Sequence, residues 1–330
     1  MAERDEPRGP RRPEPELELL RLAGPRPAVP PEREDRVRAV VRAHWREALN
    51  GRRRRHLPWL AVPLAAAALI ALVILLPQRR PATPALLGAI EVVAGQARIG
   101  TAGGDVAAVV GMELAEGATV TTDDRGRVAL RLGNVSVRLD TSSRVALASA
   151  VRLTLERGAV YLDAQAPTAG DGLTIGTPLA DVLEIGTQFE VRLLDDRLQV
   201  RVREGAVALR RGESLRTVEA GEEASLSRDG TLQVGRLGRD DRAWEWILAV
   251  APPFRLEGNS AASFLRWTAR ETGLALRWES PDLESAAESI VLHGDATGVP
   301  PDQAPAAVLP TCGLAHRLDN GTLVVSRLER

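Results

Sequence analysis

From Ile90 to about Val234 the chain alternates apolar and polar positions with a period of two. Val128, Leu130 and Leu132 are interleaved with Arg127, Ala129 and Arg131, and Val135, Val137 and Leu139 follow. Val151, Leu153 and Leu155 then lead to Val160 and Leu162. Later come Phe189, Val191 and Leu193, then Leu198, Val200 and Val202, then Val207 and Leu209. Successive side chains of a strand point to opposite faces, so each run predicts a strand with one buried face. The breaks are turn-formers: Asp123-Asp124-Arg125-Gly126, Gly133-Asn134, Asp195-Asp196 and Arg228-Asp229-Gly230. Short strands at intervals of about 8–12 residues predict a mainly β domain over 90–234, built of stacked hairpins as a sandwich or solenoid. A faint repeat supports the stacking: Leu155-Glu156-Arg157-Gly158-Ala159-Val160 is echoed by Val202-Arg203-Glu204-Gly205-Ala206-Val207, and Gly95-Gln96-Ala97 is a shorter copy.

From Ala243 the period changes, and 243–330 reads as a small α+β domain. Asn259-Ser260 caps a predicted helix over Ala261–Glu271, which Gly273 stops. Phe254–Gly258, Leu274–Trp278 and Ile290–Leu292 are expected strands, and Asp302–Leu309 a second helix. Leu314–Leu318 turns at Asp319-Asn320-Gly321 into Leu323–Val325, a hairpin signal. Together these predict two strand–helix–strand halves.

The other end of the chain follows different rules. Residues 1–31 hold eight of the 22 prolines among mixed charges and are expected to be disordered. Over 32–50, Val37, Val40, Val41, His44, Trp45 and Leu49 fall at helical spacing, and Asn50-Gly51 is a helix stop. An amphipathic helix of this length buries its stripe only against a partner protein, a dimer mate or the membrane surface, and the first makes Val37, Val41, Trp45 and Leu49 the candidate partner-binding residues. Against a lipid surface, the same helix would be a solvated juxtamembrane segment.

Leu57 to Pro77 carries no charge at all. Twenty-one residues at about 1.5 Å rise match the roughly 30 Å hydrocarbon core of a bilayer, so 57–77 is predicted to span one. A mid-bilayer charge would cost about 2.5–3.5 kcal/mol, and none is present. Arg36 to His56 holds eight arginines and Gln78 to Arg98 three, so the first 56 residues are expected in the cytoplasm. Residues 78–89 form a linker, and the two C-terminal domains are then periplasmic, on the far side of a bacterial inner membrane crossed once.

Composition sharpens this division. All 43 basic residues are arginine, a usage that suits a GC-rich bacterial genome, and they balance 44 acids. Residues 1–56 carry 15 arginines against 10 acids, so the near-neutral total sums a basic arm and an acidic remainder. The balance argues against direct nucleic-acid binding. Cys312 is the only cysteine, which excludes an internal disulfide. His44, His56, His293 and His316 are scattered; Cys312 and His316 would align only on a helix, and two ligands do not hold zinc. No catalytic, metal-binding or cofactor-binding constellation is read, so the chain is expected not to be an enzyme.

The β region resembles the FecR domain. The carrying residues run in order: Thr121, Ala129-Leu130-Arg131-Leu132, Val137–Asp140, Leu155–Tyr161, Leu173–Thr177, Glu184–Val191, Val200–Val207 and Ala220-Gly221-Glu222. The resemblance makes Gly158, Gly186, Thr187, Phe189, Gly205 and Gly221 structural motif positions. Residues 254–326 are similar to the STN module of secretins and TonB-dependent receptors, through Phe254–Gly258, Phe264-Leu265, Thr272-Gly273-Leu274, His293-Gly294-Asp295, Gly313-Leu314 and Gly321-Thr322-Leu323. The order membrane helix, FecR domain, STN-like domain resembles transmembrane anti-sigma regulators of Gram-negative bacteria. The resemblance implies signal transduction to transcription, an extracytoplasmic-function sigma factor on the cytoplasmic side, and an outer-membrane receptor or other envelope protein on the periplasmic side. In that family the cytoplasmic domain is usually longer and richer in tryptophan than these 56 residues, which hold only Trp45. A membrane-anchored periplasmic adaptor or binding protein without sigma-factor control is the second reading.

Overall fold

The structure, a computed structural model, describes residues 31–51, 85–164, 172–186, 188–237 and 241–328. The expected disordered segment up to residue 30 and the expected span over 57–77 lie outside the described residues. Among the described residues no helix is long and apolar enough to cross a membrane. The chain divides into two compact units, Met1–Ala82 and Thr83–Arg330.

The described part of the first unit is one helix, α1 (Pro31–Gly51). Its proline at the first helical position lacks an N–H that would be unpaired there in any case. Val37, Val40 and Trp45 are all at least 60% exposed, so among the described residues nothing covers this stripe.

The second unit is mainly β, with a few short helices. Among the described residues seventeen strands form two sheets: β1 (Leu86–Ala94), β2 (Ala97–Thr101), β3 (Gly104–Ala107), β4 (Glu113–Ala115), β5 (Thr119–Thr122), β6 (Arg127–Leu132), β7 (Val135–Leu139), β8 (Arg144–Ser149), β9 (Arg152–Ala164), β10 (Thr174–Gly176), β11 (Asp181–Glu184), β12 (Gln188–Leu193), β13 (Arg197–Glu204), β14 (Ala206–Arg211), β15 (Ser214–Glu219), β16 (Glu222–Ser227) and β17 (Leu232–Arg236). The first runs β4-β1-β6-β7-β9-β12-β13-β16-β17. The second runs β3-β2-β5-β8-β9-β10-β11-β14-β15. One core lies between them, with Ile99, Val145, Leu153 and Ile175 from the second sheet meeting Leu130, Val137, Val160 and Phe189 from the first. Burying each such side chain contributes about 1.5–3 kcal/mol.

The two predicted segments Val151–Leu155 and Val160–Leu162 are a single 13-residue strand, β9 (Arg152–Ala164). Its first half pairs with β8 (Arg144–Ser149) in the second sheet, and its second half with β7 (Val135–Leu139) and β12 (Gln188–Leu193) in the first. Gly158, at φ 82°, marks the change of sheet. Gly95 (φ 73°) and Gly205 (φ 75°) do the same between β1 and β2 (Ala97–Thr101), and between β13 (Arg197–Glu204) and β14 (Ala206–Arg211). The faint sequence repeat is therefore a repeated corner: each copy places glycine where the chain leaves one sheet for the other with left-handed backbone.

After β17 come a 3-10 turn (Asp241–Trp244), the short α2 (Glu245–Leu248), α3 (Ala261–Thr272), β18 (Ala275–Trp278), α4 (Pro281–Ser289), α5 (Ala304–Val308), and the hairpin β19 (Leu314–Asp319) and β20 (Thr322–Arg327). Ser260 caps α3 by accepting from the Ser263 N–H, and Gly273 ends it at φ 72°. The three strands order β18-β20-β19, with β18 parallel to β20. Phe264, Leu265, Leu283, Leu314 and Val325 form a second core, separate from that of the sandwich.

Three expectations fail in this region. Phe254–Gly258 is not a strand, and Ile290–Leu292 contributes only the isolated bridge Ser260–Val291. Those two segments exchange a few backbone bonds around a turn, Gly258 N–H to Leu292 O and Leu292 N–H to Asn259 O, rather than a ladder. The two strand–helix–strand halves are accordingly one three-stranded sheet with helices. The expected helix over Asp302–Leu309 is reduced to α5, followed by a 3-10 turn at Leu309–Cys312.

Candidate functional site

In β7 every residue is buried, although alternation sends only Val135, Val137 and Leu139 into the sandwich core. Ser136 and Arg138 face the other way. They are buried because the C-terminal elements cover this outer face of the first sheet. Cross-strand register places Ala129, Arg138, Tyr161, Glu190, Arg201 and Glu223 in one row. Arg201 bridges its two carboxylate neighbours, Nη1 to Glu190 at 3.2 Å and Nε to Glu223 at 2.8 Å.

The cover is fastened at the charged members of this row. Arg138, with no solvent exposure, donates from Nη1 to the Ile247 carbonyl at 3.1 Å and from Nη2 to Glu271 at 2.6 Å. Glu271 is itself 7% exposed. Trp246 donates from its indole N–H to Glu190 at 3.1 Å. Arg138 also lies over the Tyr161 ring at 5.4 Å, and Tyr161 meets Trp244 edge-on at 6.1 Å. Burial pushes the Tyr161 phenol up to about 12, against the opposing pull of Arg203.

A second group secures the end of α3. Its last carbonyls lack partners inside the helix. Gln188 Nε2 reaches the Arg270 carbonyl at 3.2 Å, and Arg203 Nη1 the Glu271 carbonyl at 3.0 Å. A guanidinium at a helix C-terminus also opposes the negative end of its dipole. Arg203 stacks over Trp244 at 5.4 Å, and a Cβ on Gly273 would collide with its guanidinium. Arg270 pairs with Asp163; burial works against its charge, and this carboxylate outweighs burial and raises its pKa.

Beside this seam a cleft of about 330 Å³ opens between Trp244 and Leu248 on one side and Leu274, Pro305, Leu318 and Leu323 on the other. His316 also lines it, and burial lowers the imidazole below its ordinary 6.5.

Residues 118–208 match the FecR protein family. The FecR match begins just before β5 (Thr119–Thr122) and ends in β14, so it contains Arg138, Tyr161, Asp163, Glu190 and Arg203 but stops short of Glu271. A comparison with curated proteins found no match. Two crystal structures of a candidate anti-sigma factor from Parabacteroides distasonis ATCC 8503 are similar at 14% and 15% identity, with TM-scores of 0.36 and 0.34. Each similarity covers 63% of this chain and 98% of the other.

The motif glycines of the FecR resemblance take scaffold positions rather than lining one pocket. Gly158, Gly186, Gly205 and Gly221 all have positive φ, and Phe189 is fully buried in the sandwich core. Thr187 lies outside the described residues. Val37, Val41 and Trp45 share the exposed stripe of α1 together with Val40; Leu49 is on the same helix, with its side chain outside the described residues. Cys312 closes a 3-10 turn and His316 lies in β19, so the two do not share a helix. Among the described residues no three metal-ligating side chains gather.

Sequence reasoning missed Arg138, Tyr161, Glu190 and Glu271. The outward positions of Arg138, Tyr161 and Glu190 in the alternation implied solvent, and Glu271 is a charged residue on a predicted helix. The available signal was small neighbours on the same face: Ala129 and Ala159 point outward and are fully buried.

Proposed function

We propose that this chain is a membrane-anchored signalling regulator of the anti-sigma type. In this reading α1 and the preceding residues lie in the cytoplasm and hold a sigma factor, 57–77 cross the inner membrane once, and the β-sandwich with an STN-like C-terminal module receives an envelope protein in the periplasm. It performs no catalysis. The FecR match over residues 118–208 supports the regulator class, and the observation that carries the cytoplasmic half is the stripe of α1. Val37, Val40, Val41 and Trp45 recur at three- and four-residue spacing, and the arginines between them match an acidic rim around an apolar groove. Trp and Arg are also the residues in which binding energy concentrates.

The test is co-purification of the full chain, in detergent, with the extracytoplasmic-function sigma factors of its own host. Val41→Asp and Trp45→Ala should each reduce the retained factor at least tenfold. Retention unchanged by both substitutions, or a wild-type chain that retains none, overturns the reading. Deleting residues 1–50 separates it from a simple periplasmic adaptor, which would keep its function without them.

A further inference from the structure

The seam between the outer face of the first sheet and the C-terminal elements differs in kind from the two cores that it joins. Of the five buried side-chain polar atoms among the described residues that have no hydrogen-bond partner, four lie here: Ser136 Oγ, Arg138 Nε, Thr268 Oγ1 and Arg270 Nε. Permanent interfaces bury apolar surface, whereas a buried ion pair loses much of its Coulomb gain to the dehydration of both charges. Opening the seam rehydrates Arg138, Glu271 and the orphaned atoms together. The cleft of about 330 Å³ alongside shows that the two sides are not packed to the density of a protein interior.

Each side also keeps its own core. The sandwich cluster and the cluster around Phe264 and Leu265 share no residue. The small cluster of Tyr161, Trp244, Trp246 and Ile247 belongs to the sandwich side, since Trp246 and Ile247 are bonded to Glu190 and Arg138. Chain continuity from this pad to α3 runs through Ala251-Pro252-Pro253, which has no regular structure. Separation at that point breaks the contacts of Arg138, Gln188 and Arg203 with the end of α3, and those of Arg270 with Asp163, Ala164 and Glu204, but no strand pairing inside either body.

We propose that the seam is a latch: the module from Phe254 onward releases as a folded body from the sandwich, pivoting at Ala251–Pro253, and uncovers Arg138 where Glu271 had closed it, while Trp244 and Trp246 stay on Tyr161 and Glu190. Glu271 is the catch. It is supplied by the moving body, and it neutralises Arg138, the one fully buried guanidinium among the described residues. The device stands independently of whether α1 holds a sigma factor.

Distance measurements between spin labels test it on the full chain in detergent. Cysteines replace exposed Ser214 on the sandwich and exposed Ser285 on α4, with Cys312→Ser to remove the native thiol. The unmodified seam should give one dominant narrow distance with a minor, broader and different component. Glu271→Ala leaves Arg138 buried without its counter-charge and should raise the minor component at least tenfold, while the circular dichroism of the sandwich keeps its melting temperature. Arg138→Met combined with Glu271→Met replaces the catch by apolar contact and should reduce that component below the starting level. A Glu271→Ala chain with unchanged distances overturns the latch. So does a sandwich that melts together with the loss of docking, or a double-methionine chain as open as the single variant.

Discussion

Gly158 and Gly221 have the same backbone angle, φ 82°, but different surroundings. A Cβ at Gly158 collides with Ser143, whose hydroxyl accepts from the Ala159 N–H at 2.9 Å, whereas a Cβ at Gly221 meets nothing within 4 Å. Gly221→Ala therefore carries only the backbone penalty of about 1 kcal/mol, and Gly158→Ala adds overpacking for a total of about 2–4 kcal/mol. Urea unfolding of the two variants should separate them in that order. His316 gives a second residue-scale expectation. Burial lowers its folded pKa below the 6.5 of the unfolded chain, so the unfolded state binds the proton more readily. The stability contributed by the neutral imidazole is complete above 6.5 and is lost as pH falls from there toward the folded value. Denaturation at pH 7.5 and 5.5 should show a larger loss for the wild type than for His316→Gln. The glycines were legible as a repeated sequence because a left-handed corner restricts its residue type. Arg138 was not, because an arginine on the polar phase of a strand reads as solvated until something is known to cover it.

At the scale of elements, legibility followed local chemistry. The ends of α3 were readable because a cap is a short-range device: Ser260 accepts from Ser263 N–H at 3.1 Å, and Gly273 supplies the left-handed exit. Ser260→Ala should cost about 1 kcal/mol, visible as a lower melting temperature for the C-terminal module. The β19–β20 hairpin was readable for a similar reason, since Asn320 (φ 49°) and Gly321 (φ 80°) both adopt the positive φ of a type I′ turn. Phe254–Gly258 and Ile290–Leu292 misled because an apolar run identifies burial, while a strand also needs a partner edge. The helix α4 carried its own start signal, Ser280-Pro281 with Asp282 and Glu284 in the first turn. Here the sequence information was present and unused.

For the whole molecule, the change of period near Ala243 falls between two hydrophobic cores that lie within the one compact unit Thr83–Arg330. The partners that join it are 133 residues apart in sequence, Arg138 and Glu271, and no local pattern links positions so distant. The same distinction should be measurable in salt. Arg266 pairs with Glu284 and Glu288 on the surface, where each side chain is more than 40% exposed. A double-mutant cycle there should give a small coupling that vanishes in concentrated salt. The Arg138–Glu271 cycle should retain its coupling under the same conditions, because bulk ions do not reach a water-excluded pair.

Apart from the edge strands β4 and β3, which flank β1 and β2, strand order along both sheets rises with chain order to β17 and β15 at the opposite edges. A chain made from its N-terminus can therefore lay down the sandwich as it emerges, each new strand finding an edge already in place. Arg138 enters that growing sheet early, while the carboxylate that neutralises it has yet to be synthesised. Until residue 271 arrives, the guanidinium remains hydrated and the outer face stays open. Closure of the seam thus follows assembly of the first sheet, and a chain whose Arg138 is paired with Glu271 is one whose synthesis has passed the end of α3.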